Sequence, residues 1–99
     1  MLIDNLVHYA IYGMTYSAVY GKQARRDLGA LQSRRAIAIM DRVDRVAADP
    51  YARDPNVTKL AGREGCRLRV GDWRVLYELD DTACLLRVIA VRPRGSAYR

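Results

Sequence analysis

The sequence predicts an α+β fold, a compact antiparallel sheet packed against an N-terminal helical hairpin in the order β-α-α-β-β-β. Three observations predict it. A helical period runs through residues 23–49. Two-residue alternation of apolar and polar side chains begins at residue 66. A Gly71-Asp72 pair of the kind accepted by tight hairpins separates two of the alternating runs.

The elements follow in chain order. In "MLIDNLVHYAIYG", residues 1–13, Leu2, Leu6 and Tyr9 are spaced for one helix face. Gly13 separates this stretch from "MTYSAVYGK", a β-like run rich in Tyr, Thr and Val. Residues 1–13 therefore read as an appended segment, Met14 as a second potential start, and residues 14–99 as one domain. Ala24, Leu28 and Leu31 mark the inner face of a first helix. Ser33 is placed to cap a second, with Ile37, Met40, Val43 and Ala47 as its apolar positions and Asp49-Pro50 as its stop. Leu28, Leu31, Ile37, Met40 and Val43 are expected to pack on Leu68, Val70, Val75 and Tyr77. "YARDPNVTKLAGREG", with its glycines and proline, reads as a connecting loop. Three β runs follow: Cys66–Val70, Trp73–Leu79 and Leu85–Arg92.

Composition narrows the function. The 99 residues carry a formal charge of +6, which favours a polyanionic partner: RNA, DNA or an acidic protein. Two cysteines are too few for a disulfide scaffold, so Cys66 and Cys84 read as small core residues in a reducing cytoplasm. With His8 the only histidine, a zinc site lacks ligands. No apolar run approaches the roughly 18 residues of a membrane span. Gly-rich phosphate loops, paired catalytic carboxylates and Ser/His/Asp sets are all missing from the sequence.

The distinctive stretch is "RLRVGDWRVLYELDD", residues 67–81. If Val70 and Trp73 flank the turn, Arg69 faces Arg74 and Arg67 faces Leu76. Cys66, Leu68, Val70, Trp73, Val75 and Tyr77 then form the face that receives the helices. The opposite face carries Arg67, Arg69 and Arg74. Like charges directly opposite each other destabilise a sheet, and a local cost without local return often marks function. The tail "VRPRGSAYR" adds Arg92, Arg94, Tyr98 and Arg99, residue types suited to binding phosphate and stacking on bases.

Two segments carry a family resemblance: "KLAGREGCRLRVGDWRVLYELDD" and "LLRVIAVRPRGSAYR". With the helical hairpin between them and the N-terminus, the chain over residues 14–99 resembles the RelE/ParE toxins of bacterial toxin–antitoxin systems. The resemblance implies a cytoplasmic toxin whose partners are an acidic antitoxin, the ribosome and mRNA. For the RelE branch it implies mRNA cleavage in the ribosomal A site without metal or cofactor. Arg74, Arg94 and Tyr98 match the family's catalytic positions. Arg67, Arg69, Arg92 and Lys59 are the matching candidates for RNA binding. Pro93 departs from the pattern, standing where many relatives carry a polar or basic residue. Two alternatives accompany this reading: a ParE-like inhibitor of DNA gyrase, and a non-toxic relative that only binds its antitoxin.

Overall fold

The computed structural model describes residues 15–95. Residues 1–13 and Tyr98 lie outside that range. The elements are β1 (Ser17–Tyr20), α1 (Lys22–Gly29), α2 (Ser33–Ala48), β2 (Val57–Lys59), β3 (Cys66–Val70), β4 (Trp73–Asp80) and β5 (Leu85–Pro93). The strands form one five-stranded sheet in the order β1-β5-β4-β3-β2. The α+β class and the helices-before-strands order are as expected.

Two features extend the expectation. β1 pairs with β5 in parallel, Ser17 opposite Leu85 through Tyr20 opposite Val88, so the sheet is mixed. Within the connecting loop, Val57–Lys59 adds an edge strand antiparallel to β3. Three residues are too short a run to stand out from loop composition. The direction of β1 depends on which sheet edge it reaches after folding, and strand propensity does not encode that. No described helix is long and apolar enough to cross a membrane.

α1 and α2 cover one sheet face. Ala24 and Leu28 of α1, and Ile39, Val43, Val46 and Ala47 of α2, bury against Leu68, Val75, Tyr77, Leu86, Val88 and Val91. Ile37 and Met40, expected in this core, are 57% and 39% exposed. The run Ala36–Met40 offers two helical stripes. The Ile37 stripe meets Asp41 and Asp44 one and two turns on, whereas the Ile39 stripe continues through Val43 and Val46 without a charge. Burial follows the uncharged stripe. Ser33 is the first residue of α2 rather than its cap, and no side chain caps that end. Cys66 and Cys84 are half-buried free thiols packed against the core.

The opposite face holds a smaller apolar cluster, Leu76 and Ala90 with Leu60 and Ile89. A bulge between β4 and β5 makes both faces work. Leu76 pairs with Ala90 but Tyr77 pairs with Val88, so Ile89 is the extra residue. The bulge lets Val88 and Val91, three residues apart, both face the helices. α1 then closes the edge of β5 beyond the end of β1: the Val91 N–H donates to Asp27 Oδ2 at 2.8 Å. That bond satisfies a backbone donor that β1 no longer reaches.

Candidate functional site

The β3–β4 hairpin has the register that alternation predicts: Cys66 opposite Tyr77, Arg67 opposite Leu76, Leu68 opposite Val75, Arg69 opposite Arg74 and Val70 opposite Trp73. Gly71 takes φ 58°, a left-handed conformation that glycine adopts without a Cβ clash. Leu68, Val75 and Tyr77 point to the helices, which leaves Arg67, Arg69 and Arg74 on the other face. Across β4, Arg74 is also opposite Arg92 of β5. A row of three arginines thus crosses three strands.

Each of these side chains is held differently. Arg74 is half-buried, and its Nη1 donates to the carbonyl oxygens of Gly71 and Trp73, both at 2.9 Å. Arg69 turns toward the loop, donating from Nε at 3.3 Å and Nη2 at 3.0 Å to Asn56 Oδ1. Arg92 leans round the sheet edge, its Nη1 3.8 Å from Asp27 Oδ1. Arg94 is exposed, and its backbone N–H donates to the Asp72 carbonyl at 2.7 Å, tying the end of β5 to the hairpin turn. The opposed arginines are therefore drawn toward separate acceptors.

Around the hairpin tip lies an open cleft of about 580 Å³, lined by Arg42, Asn56, Arg69, Asp72, Arg74 and Arg94 together with Val70 and Gly71. Desolvation, then the charges of Arg67, Arg69 and Arg94, push the Arg74 guanidinium below its usual value, with Asp72 acting the other way. An arginine stays cationic under such pressure. The physical content of the shift is that an incoming anion relieves both the repulsion and the lost hydration. Phosphate is such an anion, and a guanidinium offers it a planar fork of donors.

The fold thus gathers Arg69, Arg74 and Arg94. Arg67 contributes charge to Arg74 without lining the cleft, and Arg92 shares the row while reaching toward α1. Lys59 lies apart, in a second cleft with Tyr51, Arg63, Cys66, Asp80 and Arg87. Tyr98 falls outside the described residues. Sequence reasoning missed Arg42 and Asn56. Arg42 is one of several arginines along α2 that sequence alone does not tell apart, and Asn56 lies in "RDPN", which carries only a turn signal.

Comparison with known proteins places the chain in a family. The family described as ParE toxin of type II toxin–antitoxin system, parDE, matches residues 18–98. A search of curated protein sequences gives no significant match. Among solved structures, the chain is similar to the RelBE2 toxin–antitoxin complex from Mycobacterium tuberculosis, with 24% identity, a TM-score of 0.71, and 84% of this chain and 95% of that one covered. It is similar to the archaeal RelE–RelB complex from Pyrococcus horikoshii OT3, with 28% identity, a TM-score of 0.70, and coverage of 85% and 100%. The isolated Escherichia coli RelE toxin matches at 20% identity with a TM-score of 0.68, covering 84% of this chain and 88% of that one. The chain belongs to the ParE toxin family, within the RelE/ParE superfamily of type II toxin–antitoxin toxins.

Proposed function

We propose that this toxin is a ribosome-dependent mRNA endonuclease that cleaves RNA without a metal ion and is neutralised by an acidic antitoxin. The observation that carries the reading is the convergence of Arg69, Arg74 and Arg94, with Arg42, on one cleft that contains a single carboxylate, Asp72. In the reaction the RNA 2′-hydroxyl attacks the adjacent phosphorus and the 5′-oxygen departs. Negative charge builds on the phosphoryl oxygens, and donors placed beforehand stabilise it more than they stabilise the ground state.

Each candidate residue then has a part in this reaction. Arg74, already fixed by two carbonyls, faces the phosphoryl oxygens and carries most of the electrostatic work. Arg69 and Arg67 add charge beside it. Arg94 neutralises the departing oxygen, since arginine is too weak an acid to donate its proton readily. Tyr98 is the proposed base for the 2′-hydroxyl proton, a role that nearby positive charge would favour by stabilising tyrosinate. Arg92 and Lys59 bind RNA outside the reacting phosphate.

An antitoxin partner is supported by the neighbours. The similar M. tuberculosis and P. horikoshii structures are complexes of a toxin with its antitoxin. A basic face of this kind attracts an acidic segment that orders on binding.

A second reading, gyrase inhibition, is favoured by the matching family's description as a ParE toxin. The test that separates them is primer extension on mRNA in a translation extract, beside a DNA supercoiling assay with gyrase. Cuts that require ribosomes support the endonuclease. Intact mRNA with inhibited supercoiling supports the gyrase reading. If neither occurs, the protein is a toxin fold kept for antitoxin binding, and Pro93 is the first position to exchange for a polar residue.

A further inference from the structure

The opposed pair Arg69 and Arg74 poses a local problem. Like charges across an antiparallel pair repel, and an unrestrained arginine swings away into solvent. Arg74 is restrained by its own turn. Arg69 has no such turn, and its restraint comes from elsewhere in the chain.

That restraint is Asn56. Its backbone carbonyl accepts the Arg69 N–H at 2.8 Å, and its Oδ1 accepts two N–H groups of the guanidinium at 3.3 and 3.0 Å. Asn56 therefore grips both ends of Arg69. It is itself held, because its N–H donates to Asp54 Oδ1 at 2.9 Å, across Pro55. The second Asp54 oxygen accepts Arg42 Nη2 at 2.6 Å, from the middle of α2. Both side chains of that pair are only 19% exposed. Burial opposes ionisation of Asp54, but the bond from Arg42, the Asn56 N–H and the charges of Arg42 and Arg45 prevail and hold its carboxyl below the usual range. A continuous path runs from helix to loop to the cleft.

The residue type at 56 has a consequence. A carboxylate there would hold the guanidinium more tightly, but it would also cancel the charge that binds phosphate. An amide oxygen holds it and leaves the charge intact.

We propose that Asn56, anchored through Asp54 to Arg42, is a positioning residue that aims the Arg69 guanidinium into the cleft without neutralising it. The role in cleavage rests on the endonuclease reading, while the geometric claim stands apart from it.

Two substitutions of Asn56, an Arg69→Ala background and two readouts test this. The first readout is ¹⁵N NMR of the Arg69 side chain, which reports whether rotation of the guanidinium is hindered. Hindered rotation is expected in the wild type, retained in Asn56→Asp and lost in Asn56→Ala. The second is single-turnover cleavage on mRNA-programmed ribosomes. Asn56→Ala should slow the chemical step about tenfold to a hundredfold with affinity unchanged, as expected for a misplaced group. Asn56→Asp should mainly weaken binding, because it adds a negative charge. In an Arg69→Ala background, Asn56→Ala should cost nothing further. An additive loss there, or a rate unchanged by Asn56→Ala alone, would overturn the catalytic role. If the wild type does not cleave at all, the endonuclease reading fails, and the NMR result alone decides the geometric claim. An Arg69 signal unaffected by Asn56→Ala would overturn that as well.

Discussion

Strands β3 and β4 have a cleft at each end, of about 580 Å³ at the hairpin tip and about 690 Å³ at the far end. The two differ in how they treat charge. At the far end cations and carboxylates are mixed: Lys59, Arg63 and Arg87 lie with Glu64, Glu78, Asp80 and Asp81. Asp80 Oδ2 pairs with Arg87 at 2.7 Å, and Asp81 Oδ1 accepts the hydroxyls of Tyr16 and Tyr51, each at 2.6 Å. At the tip, four arginines line the cleft with one carboxylate; Arg42 is answered by Asp54 behind it, but the acceptors that hold Arg69 and Arg74 are neutral carbonyl and amide oxygens. Neutral acceptors fix a cation without cancelling it. The larger hollow therefore holds charge of both signs, and the smaller one is left with an excess of positive charge.

Both ends hang on the same core, so the largest expected effect is loss of the scaffold itself. Ile39→Asp buries a carboxylate at a fully enclosed position and should destabilise by about 4 kcal/mol or more, most of the margin of a small domain. Met40→Asp, one residue on, should cost about 1 kcal/mol or less. Urea unfolding of the two proteins checks this, and equal losses would show that the core stripe is misplaced.

The next effect concerns charge alone. Arg94→Ala at the tip should lower ribosome-dependent cleavage by about a factor of ten or more. Arg87→Ala at the far end should leave it unchanged, since Arg87 only answers Asp80. Comparable losses of rate would erase the distinction between the two clefts.

Smaller again is Tyr51→Phe, which removes one donor to Asp81 and should cost about 1 kcal/mol of stability at neutral pH. The bond to Asp81, followed by burial, pushes the Tyr51 hydroxyl up to about 12 from an ordinary value of 10.0. Its folded value is raised, so the stabilisation is complete below pH 10 and fades as pH rises through about 12. The difference in melting between wild type and Tyr51→Phe should therefore shrink in strong alkali and stay constant from pH 6 to about 9. The smallest effect is expected from removing residues 1–13. The family match begins at residue 18, and a chain starting at Met14 should keep its melting temperature.

What the sequence revealed depended on how local the determining interactions were. The hairpin register was legible because a two-residue turn and strict alternation leave one pairing in which Leu68, Val75 and Tyr77 share a face. Ile37 and Met40 of α2 were misplaced because Ala36–Met40 is apolar throughout, and the deciding charges, Asp41 and Asp44, lie one and two turns beyond Ile37. The parallel placement of β1 and the short strand β2 emerge from long-range pairing. Within the site, Arg69 and Arg74 could be placed opposite each other from spacing alone. Their restraint could not, because Asn56 lies 13 residues from Arg69 and Arg42 a further 14 before Asn56.

If the proposed function holds, the charge at the hairpin tip does chemistry on RNA. The most direct measurement is the single-turnover rate of mRNA cleavage on programmed ribosomes for wild type and Arg74→Ala, with thermal melting of both proteins recorded alongside. Removing one preorganised donor from a phosphoryl transition state typically costs about 3–4 kcal/mol, or a hundredfold to a thousandfold in rate. A loss of that size with nearly unchanged melting is expected, because the two hydrogen bonds of Arg74 stay within its own exposed turn and its arginine neighbours repel it. An Arg74→Ala protein that cuts at the wild-type rate would contradict it.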